Sequence, residues 1–230
     1  MRILAIETST EHCAVAVGDG TRWCVREEHL GQSHSERALL LCRESLAEAG
    51  YAVRELDAIA FGAGPGSFTG VRIACGLAQG LALADDLPVV PVPTLEALAE
   101  AAWASGGHSR IVACLDARMR EVYVAAYARN GEGWTVVAPP AVLPPAAVAG
   151  LGGAGWFGAG NGFAAYPALS AQLELATIDA TLRPSARAVA ELALKRMVAG
   201  EAVAVDDALP LYVRHRVALT TAERNAGERL

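Results

Sequence analysis

FGAGPGSFTGVR, Phe61 to Arg72, places four glycines and one proline between an apolar run and a long apolar-patterned segment. Glycine takes positive φ without steric cost and lets a second backbone approach closely, while proline fixes φ and removes a donor. The pattern predicts a tight strand-to-helix turn. A buried strand covers 56–61, Gly62, Gly64, Gly66 and Gly70 shape the turn around Pro65, and Ser67 is the N-cap of a helix reaching about Ala84. Asp85-Asp86-Leu87-Pro88 ends that helix.

Turns of this kind often cradle phosphate, but three specific forms fail. A Walker A loop requires lysine after its last glycine, and Val71 and Arg72 follow Gly70. The dinucleotide pattern counted from Gly64 and Gly66 meets Thr69 where the third glycine belongs. A nucleophile elbow around Ser67 requires glycine where Pro65 stands. The glycines are therefore read as shaping the chain rather than gripping a ligand.

The helix they launch is apolar or small nearly all round, with Arg72 and Gln79 its strongly polar members. A helix on one face of a sheet needs a single apolar stripe. Here Val71, Ala74, Cys75 and Ala78 form one face, Phe68, Ile73, Leu77 and Leu81 broaden it, and Gly76 and Gly80 admit a second helix backbone. Leu39, Leu40, Cys42 and Leu46 of the preceding helix extend the surface. Either a neighbour within the chain covers this helix pair or the pair is half of a subunit interface.

Outward from this centre the chain is stated twice. Residues 2–7 are an apolar run ending at Glu7-Thr8-Ser9-Thr10, and a hairpin follows over 13–18 and 23–28. Ser33-His34-Ser35-Glu36 has the S-x-x-E form of a capping box, opening a helix that runs to Ala49 and stops at Gly50. After the glycine turn come a strand at 88–92 and a helix capped by Thr94 that ends near Ala104. Ser105-Gly106-Gly107 is the boundary candidate. Then 110–115, 121–128 and 134–138 repeat the three strands, Pro139 to Leu151 replaces the first long helix, and Trp156 to Gly162 is a second strand-to-glycine turn. A strand within 173–178 and an amphipathic helix over 184–198 complete the repeat. The expected domains are an N-terminal lobe (1–104), a partly degenerate C-terminal lobe (105–212) and a tail with helical potential (213–230).

Two β-β-β-α-β-α units describe an α/β fold of two lobes, the actin-like ATPase (ASKHA, ribonuclease H-like) architecture, in which nucleotide lies between the halves. Glu7, Thr8 and Ser9, Asp116 and Arg118, and Gly158, Gly160 and Asn161 occupy the places that face nucleotide in that architecture. Glu7 and Asp116 are candidate Mg²⁺-water ligands or bases, or only turn-formers. Fold by itself does not establish activity.

Composition narrows the function. Of 230 residues 53% are hydrophobic and the net charge is −6, with Lys195 the only lysine, so the chain is a poor stand-alone nucleic-acid binder. Five scattered cysteines without a C-x-x-C pair fit buried thiols in a reducing compartment. The composition and the lack of a long apolar run predict a cytoplasmic protein without membrane contact. His34 is followed at i+4 by Ala38, so a helical histidine metal site is absent, and His12, His108 and His215 read as solvated singles. No metal constellation and no Ser-His-Asp triad can be assembled from the sequence, so catalysis by this chain is unsupported.

The opening ILAIETST, the Ser33–Glu36 helix start, GPGSFTGVRIA at Gly64 to Ala74, VPTLEALA at Val92 to Ala99 and LPLYVR at Leu209 to Arg214 together resemble the TsaB family, also called YeaZ. The likeness spans nearly the whole chain. It implies a pseudo-enzyme related to TsaD, which carries the H-x-x-x-H metal site missing here. The implied role is a non-catalytic scaffold that forms a homodimer alone, pairs with TsaD and recruits the ATPase TsaE. The complex transfers a threonylcarbamoyl group to adenosine 37 of tRNAs reading ANN codons (t6A), and tRNA is met only through it. The partner interface then comprises Ser33, His34, Leu39, Leu40, Cys42 and Leu46, with Gly64, Pro65, Gly66, Ser67, Phe68, Thr69, Gly70, Val71, Arg72, Ala74, Cys75 and Ala78. No cofactor is required, and ATP or ADP are candidate occupants of the interlobe cleft. The alternative is a self-sufficient ATP-dependent kinase or hydrolase. Arg214, Arg216, Arg224 and Arg229 make the tail mildly basic, offset by Glu223 and Glu228.

Overall fold

The computed structural model describes residues 1–31 and 33–214. In the first lobe β1 (Ile3–Glu7), β2 (His12–Gly18) and β3 (Trp23–His29) form an antiparallel meander. Helix α1 (His34–Ala49) then crosses to β4 (Ala58–Gly64), and α2 (Phe68–Leu83) crosses to β5 (Val89–Pro93). The sheet order is β3-β2-β1-β4-β5, with β4 parallel to β1 and β5 parallel to β4. Hairpins suffice for antiparallel neighbours, whereas parallel ones need a crossover.

After α3 (Thr94–Gly106) the second lobe repeats the plan with β6 (Arg110–Asp116), β7 (Val122–Asn130), β8 (Gly133–Leu143), β9 (Phe157–Ala159) and β10 (Thr177–Asp179). Its order, β10-β9-β6-β7-β8, is the first sheet's order read from the other edge. The duplicated two-lobe α/β plan is therefore present in strand pairing as well as in sequence. The crossovers are reduced. A 3-10 turn at Pro145–Ala147 stands where α1 stood, and two short helices, α4 (Gly162–Ala165) and α5 (Ala168–Gln172), stand where α2 stood.

Helix α6 (Ala186–Val198) returns to the first lobe. Its Val189, Leu192 and Ala193 pack with Ile3, Ala5 and Val90, whereas Leu95, Leu98 and Ala102 of α3 pack with Ile111, Ala113 and Leu115 of the second lobe. The two helices lie against each other between the sheets. Glu100 fixes this layer. Its carboxylate accepts from Trp134 Nε1 at 2.6 Å, Arg129 Nη1 at 2.8 Å and Lys195 Nζ at 3.0 Å. On the outer face of the first sheet, Leu41, Cys42 and Leu46 of α1 and Ala74, Cys75 and Ala78 of α2 cover Leu4, Ile6, Val15, Ile59 and Phe61. Each large side chain so buried contributes about 1.5–3 kcal/mol.

Several expectations are corrected in detail. Ser33 precedes α1 but makes no side-chain cap bond, so the capping box does not form. Thr94 is the first residue of α3 rather than its cap; its hydroxyl accepts from Gly64 N at 3.0 Å. Ser105 and Gly106 are still helical, and the left-handed Gly107 ends α3. The strand expected within 173–178 is confined to Thr177–Asp179. Apart from its first two residues, the tail expected at 213–230 lies outside the described residues, as do His215, Arg216, Arg224 and Arg229.

Candidate functional site

The glycine turn clasps the end of β1. Gly64 alone among its four glycines has positive φ, +100°. The others are small because β1 runs on against them. A Cβ on Gly62 would overlap the Glu7 carboxylate, one on Gly70 would overlap the Thr8 carbonyl oxygen, and one on Gly66 would come within 2.6 Å of Ser9. Hydrogen bonds close the clasp, Ser67 N donating to Ser9 O at 2.8 Å and the Thr8 hydroxyl donating to Gly70 O at 2.7 Å. Ser67 is the N-cap expected of it, its hydroxyl accepting from Gly70 N.

Beyond the clasp a cleft of about 700 Å³ separates the lobes. Ser9, Thr10 and Glu11, with Pro65 to Phe68 and Val71, line the first-lobe wall. Leu115 to Met119, Tyr123 and Asn161 line the second, and Leu211 to Arg214 run along the opening. Exposed Arg118 bridges the lobes, its Nη2 3.0 Å from Glu11 Oε1, and Arg183 reaches Glu27 from the second lobe. Such exposed pairs contribute at most about 1 kcal/mol. Arg118, Met119 and Arg120 have φ of +61°, +52° and +61° in succession. Left-handed backbone costs a non-glycine residue roughly 1–2 kcal/mol, so this turn is held by its surroundings.

Of the residues assigned to nucleotide, Ser9, Asp116, Arg118 and Asn161 meet at the cleft. The others are corrected to structural positions. Glu7 is buried behind the glycine turn, its Oε1 accepting from Ser9 N at 2.6 Å and its Oε2 left without a partner. Burial pushes its carboxyl above the ordinary value, against the pull of the Ser9 and Thr8 hydrogen bonds. Thr8 is spent on Gly70. A Cβ on Gly158 would strike Phe163 and Ile178, and one on Gly160 would strike Cys114 O. These two glycines allow β9 and α4 to pack.

Three backbone donors at the strand ends of the cleft are committed within the chain, Ser9 N to Glu7, Asp116 N to Asn161 Oδ1 at 2.9 Å and Arg118 N to Asp116 Oδ1 at 3.0 Å. The Asp116 carboxylate also pairs with Arg118, and Pro65, Phe68, Val71, Leu115, Met119 and Leu211 make much of the wall apolar. Among the described residues no three metal-ligating side chains converge.

Histidines are less solvated than their spacing suggested. His34 is buried with Nε2 3.2 Å from His12 O, His12 pairs with Glu27 at 3.0 Å, and His108 stacks on Phe157 at 3.8 Å.

The helix-pair surface divides. Cys42, Leu46, Ala74, Cys75 and Ala78, assigned to partners from sequence, are buried in the first lobe's own core, and Val71, Gly64, Pro65, Gly70 and His34 are buried as well. Ser33, Leu39, Leu40, Ser67, Phe68, Thr69 and Arg72 are exposed, and Gly66 is half-buried. The outward stripe continues through half-buried Ile73 and Leu77, Gly76, Gly80 and Leu83, and a Cβ on Gly76 or Gly80 would meet nothing within 4 Å. Sequence reading missed Leu83 as an outward residue. It also missed the cleft-lining stretch Leu211 to Val213, although the aromatic-apolar LPLYVR was visible.

A sequence profile described as TsaD, tRNA N6-adenosine threonylcarbamoyltransferase, matches residues 27–217. The tRNA threonylcarbamoyladenosine biosynthesis protein TsaB of Escherichia coli is 41% identical over 95% of this chain and 96% of its own length. The protein of that name from Haemophilus influenzae is 36% identical over 94% and 95%. A solved structure, YeaZ from Pseudomonas aeruginosa, superposes with a TM-score of 0.86 at 42% identity, covering 92% of this chain and 99% of that one. No helix among the described residues is long and apolar enough to cross a membrane.

Proposed function

The chain belongs to the TsaB family of tRNA threonylcarbamoyladenosine biosynthesis proteins, and from that premise we propose that it is a non-catalytic assembly subunit of the t6A machinery. It pairs with a TsaD-type subunit through the outer face of α1 and α2, forms a homodimer through the same face when alone, and supports recruitment of TsaE. The transfer of the threonylcarbamoyl group to adenosine 37 is carried by the assembly, in the cytoplasm, and tRNA is contacted through it.

The observation that carries this reading is the exposed apolar face of α1 and α2. Leu39 and Leu40 of α1 and Phe68 and Leu83 of α2 stand in solvent, and α2 carries two glycines open to a neighbouring helix. Exposed apolar surface of this kind marks a partner, and small residues let helix axes approach closely. The engagement of Ser9 N, Asp116 N and Arg118 N within the chain, and the burial of Glu7 behind the glycine turn, support the non-catalytic reading.

Reconstitution decides it. With TsaD, TsaE and the threonylcarbamoyl donor, tRNA modification is expected only when this chain is added, and a Gly76→Arg chain is expected to fail. ATP turnover by the isolated chain that depends on Asp116, with modification unaffected by Gly76→Arg, would overturn the reading in favour of a self-sufficient kinase or hydrolase.

A further inference from the structure

The segment Leu209–Arg214 is bonded to both lobes and to the exposed end of α2. Upstream, Ala208 O accepts from Gln79 Nε2 at 3.0 Å and from Cys75 Sγ at 3.2 Å, fixing the segment to α2. Leu211 N donates to Ala63 O at 2.7 Å, at the end of β4. The Tyr212 hydroxyl accepts from Arg72 Nε at 2.8 Å, and the Arg72 guanidinium lies 3.5 Å over the Phe68 ring. Two residues later Arg214 Nη2 donates to Ala117 O at 3.1 Å and to Glu121 Oε2 at 2.6 Å, gripping the left-handed turn of the second lobe.

We propose that this segment is a strap that couples the interlobe cleft to the docking face of α2, so that a subunit seated on α1 and α2 closes the cleft and closure strengthens docking. The proposal rests on the docking reading above. Its mechanical basis is the shortness of the link between the anchors. Three residues extend at most about 10 Å, so a large separation of the lobes breaks the anchor at Leu211 or the one at Arg214. Displacement of the second lobe is therefore felt at Tyr212 and, through its hydrogen bond, at Arg72 and Phe68.

Those two residues belong to the outward stripe of α2, exposed at its N-terminal end. A subunit covering that stripe buries the Arg72–Tyr212 bond and excludes the water that competes for it, which tightens the strap from one end. Linkage requires the converse, that tightening from the cleft end favours docking by the same factor. The aromatic pair Phe68 and Tyr212, 6.3 Å apart with Arg72 against it, is also the rigid, low-entropy kind of contact that interfaces use.

Hydrogen–deuterium exchange on the full chain tests the coupling, with Arg214→Gln cutting the second-lobe anchor and Tyr212→Phe cutting the α2 anchor. In the free chain Arg214→Gln is expected to speed exchange at 117–121 and also, across the cleft, at Ser67 and Gly70. Unchanged exchange at Ser67 and Gly70 would overturn the strap. On adding a TsaD-type subunit, exchange at 117–121 is expected to slow about fivefold or more in the wild type and much less in Tyr212→Phe, with pairing retained in both. Equal slowing in the two, or no slowing despite pairing, would also overturn it. If no pairing occurs, the docking reading fails and the free-chain result alone decides the strap.

Discussion

The Thr8 hydroxyl donates to the Gly70 carbonyl over 2.7 Å, and the Thr8 carbonyl oxygen occupies the space where a Gly70 side chain would stand. Two residues 62 positions apart thus account for the last glycine of the GPGSFTG turn without any ligand. Gly70→Ala is expected to destabilise the chain by roughly 1–3 kcal/mol, because backbone rather than a flexible side chain must yield. Thr8→Val, which removes one buried hydrogen bond, is expected to cost about 1 kcal/mol. Urea melts check both; a neutral Gly70→Ala would mean that the close approach is not maintained in solution.

The two sides of α2 respond oppositely to arginine. Gly76→Arg and Gly80→Arg project into solvent, so melting should change little while self-association and pairing with TsaD are lost. Ala74→Arg puts a charge into the core beside Phe61 and is expected to prevent folding, so it cannot report on docking. Sedimentation and a thermal melt on the three variants separate these outcomes.

Glu7 gives a pH dependence of defined sign. Burial holds its folded pKa above the ordinary 4.5, so the native state binds the proton more tightly than the unfolded chain. Its contribution is fully favourable below that unfolded value and is lost as pH rises through the folded one. Glu7→Gln keeps an acceptor for Ser9 N and cannot ionise. The variant is expected to be at least as stable as the wild type at pH 8 and to show a flatter profile from acid to neutral. Parallel profiles would show that Glu7 ionises without cost.

Glu100 has the opposite sign. Burial pushes its carboxyl up, but hydrogen bonds from Trp134, Lys195 and Arg129 outweigh this and hold it below 4.5. Its stabilisation is present above the unfolded value and is lost as pH falls through the folded one. Glu100→Gln leaves Arg129, 11% exposed at its side chain, without its carboxylate, at a cost on the order of 3 kcal/mol. Lys195, at 36%, can swing into water and adds little. Denaturant melts at pH 7 and pH 4 should show the difference between wild type and variant shrinking in acid.

The local devices were legible in the sequence. Meanders, the Gly50 stop, the Ser67 cap and the restart after Gly107 depend on residues a few positions apart, and the repeat of those signals was enough to infer two lobes. Ser33-x-x-Glu36 shows the limit of that reading: the spacing permits a capping box, and the folded chain does not form one. Glu7 shows another, since a carboxylate at a strand end has the same sequence whether it faces a cleft or the back of a glycine turn.

What the sequence by itself determined is that α2 carries more apolar surface than one sheet face needs, and that glycines must launch it. Which stripe the core takes was decided only by the tertiary structure. Ala74, Cys75 and Ala78 are small enough to lie flat on β4, leaving Phe68, Leu83 and the two open glycines outside. The return of α6 to the first sheet and the passage of Leu211 to Arg214 between the lobes were likewise beyond local reading. Both rest on contacts between residues about a hundred or more positions apart, and no short-range pattern encodes which distant surface a segment will bury.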